Sequence, residues 1–241
     1  MTTILITGAN RGIGLALTET YLAHGDAVIA TCRNPVKAAA LQALLNENKN
    51  LSILPLDVTD AQSIAALVNA LDGQPIDILI NNAGILSGSN PRLTSMDSDP
   101  GQTLGSLDPA GWETLFRANT IAPIMVTQAL LSNLKQGKTR KIAMISSSWG
   151  SITTMDEEVF MGYGSSKAAL NFATKSIALA LQKDSFVVVS LSPGWVRTDM
   201  GSQEADLTPQ ESAARLMRVI DALTPEQTGH FIRHTGELIP W

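Results

Sequence analysis

A single cysteine, Cys32, occurs in the 241 residues. An intramolecular disulfide is thereby excluded, so the fold rests on core burial and fits a reducing compartment rather than secretion. A basic excess is also lacking: 17 Lys and Arg stand against 22 Asp and Glu, for a formal net charge of −5. Neither nucleic acid nor an anionic membrane surface is expected as a partner. No apolar run approaches the roughly 18 residues of a membrane span. The opening Met1-Thr2-Thr3-Ile4-Leu5-Ile6-Thr7 has neither a basic region nor a long apolar one, so no secretory leader is expected and the protein reads as cytoplasmic. His230 and His234 stand four residues apart without carboxylate or cysteine companions in a zinc-like spacing. They read as surface or interface residues, and no metal site is expected.

What the chain does contain is a series of short apolar runs: Ile4-Leu5-Ile6, Val28-Ile29-Ala30, Ile53-Leu54, the run at 76–80, Ile142-Ala143-Met144-Ile145 and Val187-Val188-Val189. Between them lie longer alanine-rich stretches with helical spacing at 12–24, 35–46, 60–71, 109–134, 163–183 and 209–223. A last short strand is expected near His230-Phe231-Ile232. Parallel strands need crossover helices, and those helices bury both faces of the sheet, so each strand reads as continuously apolar. The expected fold is α/β: a single-domain, Rossmann-type, doubly wound parallel sheet of about seven strands, with helices on both faces. Residues 86–108 are Ser-, Gly-, Asp- and Pro-rich and read as a long loop too polar for the core. With the stretches at 151–162 and 201–208, the second a flexible lid, it forms the expected substrate side.

Directly after the first strand stands Thr7-Gly8-Ala9-Asn10-Arg11-Gly12-Ile13-Gly14. A pyrophosphate reaches a helix N-terminus only where the backbone turns sharply and approaches closely, which Gly8, Gly12 and Gly14 permit. The spacing GxxxGxG at the first strand-to-helix turn resembles that of the short-chain dehydrogenase/reductase family, and the resemblance runs from Thr3 to about Gly201. It implies a nicotinamide cofactor whose phosphates lie along Gly8, Asn10, Arg11, Gly12, Ile13 and Gly14.

NAD-selective sites carry an acid at the end of the second strand, to bond the ribose hydroxyls. Here that end reads Ala30-Thr31-Cys32-Arg33. Arg33, with Arg11, suits a 2′-phosphate, so NADP(H) is favoured over NAD(H). By resemblance, Asp57 and Val58 contact the adenine, although an Asp there also suits a helix cap before Thr59-Asp60. Asn81-Asn82-Ala83-Gly84 matches the family's NNAG segment, in which the asparagines support the sheet or line the cofactor cavity. Ser192-Pro193-Gly194-Trp195-Val196-Arg197-Thr198 matches PGxxxT. Pro193, Gly194, Val196 and Thr198 are then expected at the nicotinamide carboxamide.

Tyr163 and Lys167 stand four residues apart in the frame Tyr163-Gly164-Ser165-Ser166-Lys167, one helical turn apart on one face. A phenol titrates near 10. A neighbouring ammonium and a cationic oxidised nicotinamide favour the phenolate, so Lys167 is expected to tune Tyr163 as an acid/base. Among Ser146, Ser147 and Ser148, the family's SxxG frame selects Ser147, counted back from Gly150. Asn119 is a poor helix former inside a helical stretch. The resemblance gives it a proton-relay role, and a simple kink ahead of Pro123 is the alternative.

Together these residues imply an NADPH-dependent reductase acting on a small-molecule carbonyl or alcohol, paired as a homodimer or homotetramer by analogy with relatives. The stretch from Ser147 to Ile152 and the ending Gly236-Glu237-Leu238-Ile239-Pro240-Trp241 resemble the family branch holding bacterial C-factor proteins and sniffer-type carbonyl reductases. A signalling or sensor role with little or no turnover therefore stands as the alternative.

Overall fold

Along each central strand, alternate side chains go to opposite cores, as the period of two requires. Ile4, Ile6, Val28, Ala30, Ile78, Ile80, Ala143, Ile145, Val187 and Val189 join one core, and Leu5, Ile29, Leu79, Ile142, Met144 and Val188 the other. This double burial is why the runs are apolar without alternation. The structure is a computed structural model that describes residues 1–88, 100–156 and 160–241. Its strands are β1 (Thr3–Thr7), β2 (Ala27–Cys32), β3 (Leu51–Pro55), β4 (Ile78–Asn81), β5 (Lys141–Ile145), β6 (Val187–Ser192) and β7 (Phe231–Arg233). They form one 7-stranded parallel sheet in the order β3-β2-β1-β4-β5-β6-β7. The order reverses between β1 and β4, and a crevice outside the carboxyl ends of the strands is the ligand position in such sheets.

Helices α1 (Gly12–His24), α2 (Ala39–Glu47) and α8 (Pro209–Ala222) cover the first core. Helices α3 (Ala61–Leu71), α5 (Ala122–Ala129), α6 (Leu131–Gln136) and α7 (Met161–Ala180) cover the second, and α4 (Pro109–Phe116) precedes α5. Local chemistry sets their ends. Thr208 and Glu211 form a reciprocal capping box at α8, and Asp60 caps α3 by accepting from the Gln62 N–H. Among the described residues, no helix is long and apolar enough to cross a membrane.

Two expectations need correction. Residues 109–134 do not form one helix: α4 passes into a wide π-helical turn at Arg117–Ile121 before α5. Pro123 has no N–H for the carbonyl of Asn119, and the Asn119 side chain is bonded outside its own helix, so the turn widens there. The stretch 86–108 is also not all surface, for Leu86, Ser87 and Gln102 are buried. Residues 89–99 of that loop, and 157–159 of the loop at 151–162, lie outside the described residues.

Candidate active site

The three glycines of the first loop meet different constraints. Gly8 and Gly12 adopt positive φ, +66° and +54°, where side chains are rarely tolerated. At Gly14 the constraint is space: a Cβ there would lie 2.4 Å from the Gly8 carbonyl oxygen and 2.5 Å from Asn82 Nδ2. Arg11 is the N-cap of α1 but supplies no side-chain cap, so the first amides of the helix have no acceptor within it. Asn10 is exposed at the loop tip, and Ile13 packs its side chain against the first core. The result is a cradle of backbone donors that a Cβ would fill, a shape suited to the phosphates of a dinucleotide.

The loop after β4 locks this cradle in place. Thr7 Oγ1 accepts the N–H groups of Asn82 and Ala83, both at 3.0 Å. Asn82 Nδ2 donates to the carbonyls of Thr7 and Gly8 at 2.9 and 3.2 Å. Asn81 Nδ2 instead reaches Thr127 Oγ1 at 3.0 Å, on the second face. Gly84 leaves room for Asn119 Oδ1, 3.1 Å from where a Cβ would be.

At the ends of β2 and β3, Arg33 is exposed and makes no ion pair among the described residues. Arg11 pairs with Asp199 from the loop after β6. Asp57 is not the cap of α3, which is Asp60; its carboxylate accepts from the Thr59 N–H and hydroxyl at 2.9 and 2.7 Å. Those bonds, with Arg33 and Arg117 nearby, outweigh its partial burial and hold its carboxyl below the ordinary range. Val58 lies beside it, packed against the second core.

Tyr163, Lys167 and Ser147 converge at the ends of β5 and α7. The Lys167 ammonium stands 5.7 Å from the Tyr163 ring centroid and donates to the Ile145 carbonyl at 2.8 Å. Ser147 lies near enough to the phenol to lower its pKa. Ser146 turns away into the interior, donating to Asn171 Oδ1 at 2.7 Å, which leaves Ser147 as the serine beside Tyr163. Asn119 is buried, and its amide is engaged with Ile85 and Ser166. Trp149 stands edge-on to both Tyr163 and Phe160, with centroids 6.1 and 5.9 Å away. Nothing in the sequence spacing of these two aromatics shows that they meet at Tyr163.

Burial pushes the phenol up to about 12, opposed by the nearby Ser147 hydroxyl, and holds the Lys167 ammonium down to about 8. Within the folded chain alone, loss of water around the phenol outweighs the tuning expected from lysine. The lysine shift carries a stability signature. Between about 8 and the ordinary 10.5, Lys167 binds fewer protons folded than unfolded, so stability rises with pH across that window. Urea midpoints of the wild type, taken from about pH 7 to about pH 10, should rise relative to those of Lys167→Met. Parallel curves for the two proteins would rule out a desolvated ammonium.

The segment after β6 closes the far side. Gly194, at φ +85°, makes room for the His234 ring and Leu207, each within 2.9 Å of a would-be Cβ. The Pro193 carbonyl accepts from Ser212 at 2.8 Å. The methyl of Thr198 would lie 3.2 Å from a Cβ on Gly12, so this segment meets the glycine loop. Val196 is buried, and the chain returns beside it: Arg197 N–H donates to the Leu207 carbonyl at 2.8 Å and Leu207 N–H to that of Trp195 at 3.1 Å. The end of the chain folds back as well. Trp241 stacks on Phe231, and its carbonyl accepts from the Thr153 N–H at 3.0 Å, just beyond Ser147.

A glycine cradle suited to phosphates, at the reversal point of a parallel sheet and with a phenol and an amine at its rim, fits the class of Rossmann-type oxidoreductases. The chain belongs to the short-chain dehydrogenase family, whose model matches residues 2–208. It is 39% identical over 167 residues to the C-signal protein of Myxococcus xanthus, covering 69% of this chain and 93% of that one. The fold superposes on NADPH-bound carbonyl reductase from chicken fatty liver with a TM-score of 0.88 and 33% identity, covering 100% and 99% of the two chains. Carbonyl reductase Sniffer of D. melanogaster gives 0.88 at 31% identity, with 100% of each chain covered.

Proposed function

We propose that the protein is an NADPH-dependent reductase of aldehydes or ketones, able to run in reverse on alcohols, with Tyr163 as its acid/base. The observation that carries the reading is the phenol of Tyr163 with the Lys167 ammonium 5.7 Å from its ring centroid and Ser147 near enough to lower its pKa. Gly8, Asn10, Arg11, Gly12, Ile13 and Gly14 would hold the pyrophosphate, Arg33 and Arg11 the 2′-phosphate, and Asp57 and Val58 the adenine. Asn82, Ala83 and Gly84 would floor the cleft, while Pro193, Gly194, Val196 and Thr198 face the carboxamide. The bound nicotinamide supplies hydride chemistry and, when oxidised, a positive charge that draws the phenol down from about 12. Tyr163 gives a proton to the carbonyl oxygen, Ser147 hydrogen-bonds the same oxygen, and Lys167 with Asn119 restores the proton.

NADPH and NADH titrations followed by nicotinamide fluorescence, then turnover with aldehydes, ketones and quinones, test the reading. NADPH should bind more tightly. Arg33→Asp should raise its Kd on the order of 10–100-fold while sparing NADH, as the loss of charge-assisted bonds to a phosphate implies. Equal binding of both cofactors would overturn the phosphate assignment. Tight binding without turnover would favour a signalling role, the reading that similarity to C-signal motivates.

A further inference from the structure

Tyr163 is gripped at both ends of its own residue. Its N–H donates to Gln102 Oε1 at 2.8 Å, and its carbonyl accepts from Ser166 Oγ at 2.7 Å. Both partners lead back to the same short segment beyond β4. Gln102 Nε2 donates to the Leu86 carbonyl at 2.9 Å. Ser166 Oγ accepts from Asn119 Nδ2 at 3.1 Å, and the Asn119 amide brackets Ile85, bonding its N–H and its carbonyl, each at 2.9 Å.

Gln102 is only 3% exposed, an unfavourable place for a primary amide unless it is fully bonded. Helix α7 has a use for it. Phe160 at the N-cap supplies no side-chain acceptor, and the first backbone bond runs from the Gly164 N–H to the Phe160 carbonyl. The amides before Gly164, that of Tyr163 included, therefore lack an acceptor within the helix. Gly162 opens the way in: a Cβ there would lie 2.8 Å from Leu115 Cδ1 and 3.1 Å from Gln102 Oε1. A serine or aspartate at position 160 would cap the helix locally. Here the cap comes from 61 residues earlier in the chain and ties the helix to the loop that locks the cofactor cradle.

We propose that Gln102 is a positioning residue for the acid/base: the strut from Leu86 through Gln102 to the Tyr163 N–H, beside that from Ile85 through Asn119 and Ser166, fixes the phenol relative to the cradle. The inference rests on Tyr163 being the acid/base, and its test separates the two.

Crystal structures of wild type, Gln102→Leu and Gln102→Glu would be paired with NADPH titration and with NADPH-driven reduction of 4-nitrobenzaldehyde across pH. In Gln102→Leu the Tyr163 hydroxyl should leave Ser147, kcat should fall on the order of 10–100-fold, and the NADPH Kd should stay within about twofold, since an ångström-scale misplacement is costly only to the reacting geometry. Gln102→Glu keeps an oxygen for the Tyr163 N–H and, while protonated, a donor for the Leu86 carbonyl, so most of kcat should return at the acid end of the profile. Once ionised, the carboxylate has no donor for the Leu86 carbonyl, so kcat of this variant should fall towards that of Gln102→Leu as pH rises. An unmoved Tyr163 with wild-type kcat in Gln102→Leu would overturn the proposal. So would a Gln102→Glu enzyme as impaired as Gln102→Leu at every pH. Turnover surviving in Tyr163→Phe would instead sink the acid/base assignment, while the two Gln102 structures still decide whether Gln102 places the ring.

Discussion

Tyr163→Phe is expected to lower kcat on the order of 10²–10⁴-fold, the range for a positioned proton donor, while leaving the NADPH Kd within about twofold. The substitution removes one oxygen and keeps the ring that stands edge-on to Trp149. The backbone struts at the Tyr163 N–H and carbonyl do not involve the phenol and remain. Loss of turnover with intact cofactor binding therefore isolates proton transfer. Ser147→Ala should fall less, because it removes a hydrogen bond to the substrate oxygen and leaves the donor. Single-turnover measurements keep a slow product release from masking the step. A Tyr163→Phe enzyme with more than about a tenth of wild-type kcat would fall outside the general-acid range and end the assignment.

Much of this arrangement is legible in the sequence because it follows from local rules. Strands buried on both faces must be apolar throughout, so Ile4-Leu5-Ile6 and Val187-Val188-Val189 announce themselves. Gly8 and Gly12 sit where φ turns positive, a demand that glycine spacing records. Tyr163 and Lys167 share a face because a helix repeats every 3.6 residues. What stayed hidden depends on partners distant in the chain. The π-helical turn at Arg117–Ile121 needs both Pro123 and the grip of Asn119 on Ile85, and no helical periodicity encodes that grip. Asp57 and Asp60 carry the same side chain three residues apart, and only the backbone path shows which one caps α3. Gln102 reads as loop because its neighbours are polar, yet its bonds to Leu86 and Tyr163 place it in the interior. Arg11 reads as a phosphate ligand, and only the fold brings Asp199 beside it.

Gly14→Ala separates a packing requirement from a helix preference, because the two push in opposite directions. Gly14 lies in the first turn of α1, and its φ is not positive, so alanine suits its backbone. On helix propensity alone the change should stabilise the protein by about 1 kcal/mol. The added methyl would lie 2.4 Å from the Gly8 carbonyl oxygen, 2.5 Å from Asn82 Nδ2 and 3.0 Å from the Gly8 carbonyl carbon. Backbone atoms of a tight turn cannot swing aside as the end of a long side chain can. Asn82 is no freer, since it is tied to the carbonyls of Thr7 and Gly8. Relief requires the glycine loop to part from the NNAG segment, which opens the cradle at the expected phosphate position. The variant should lose about 1–3 kcal/mol of stability, the cost of overpacking, and its NADPH Kd should rise on the order of 100-fold, as a displaced phosphate loop implies. Urea denaturation with and without NADPH gives both numbers in one series. A variant more stable than wild type would mean that the loop relaxes freely. Unchanged NADPH affinity in a destabilised variant would mean that the close contact of Gly14 with Gly8 serves the fold and not the cofactor.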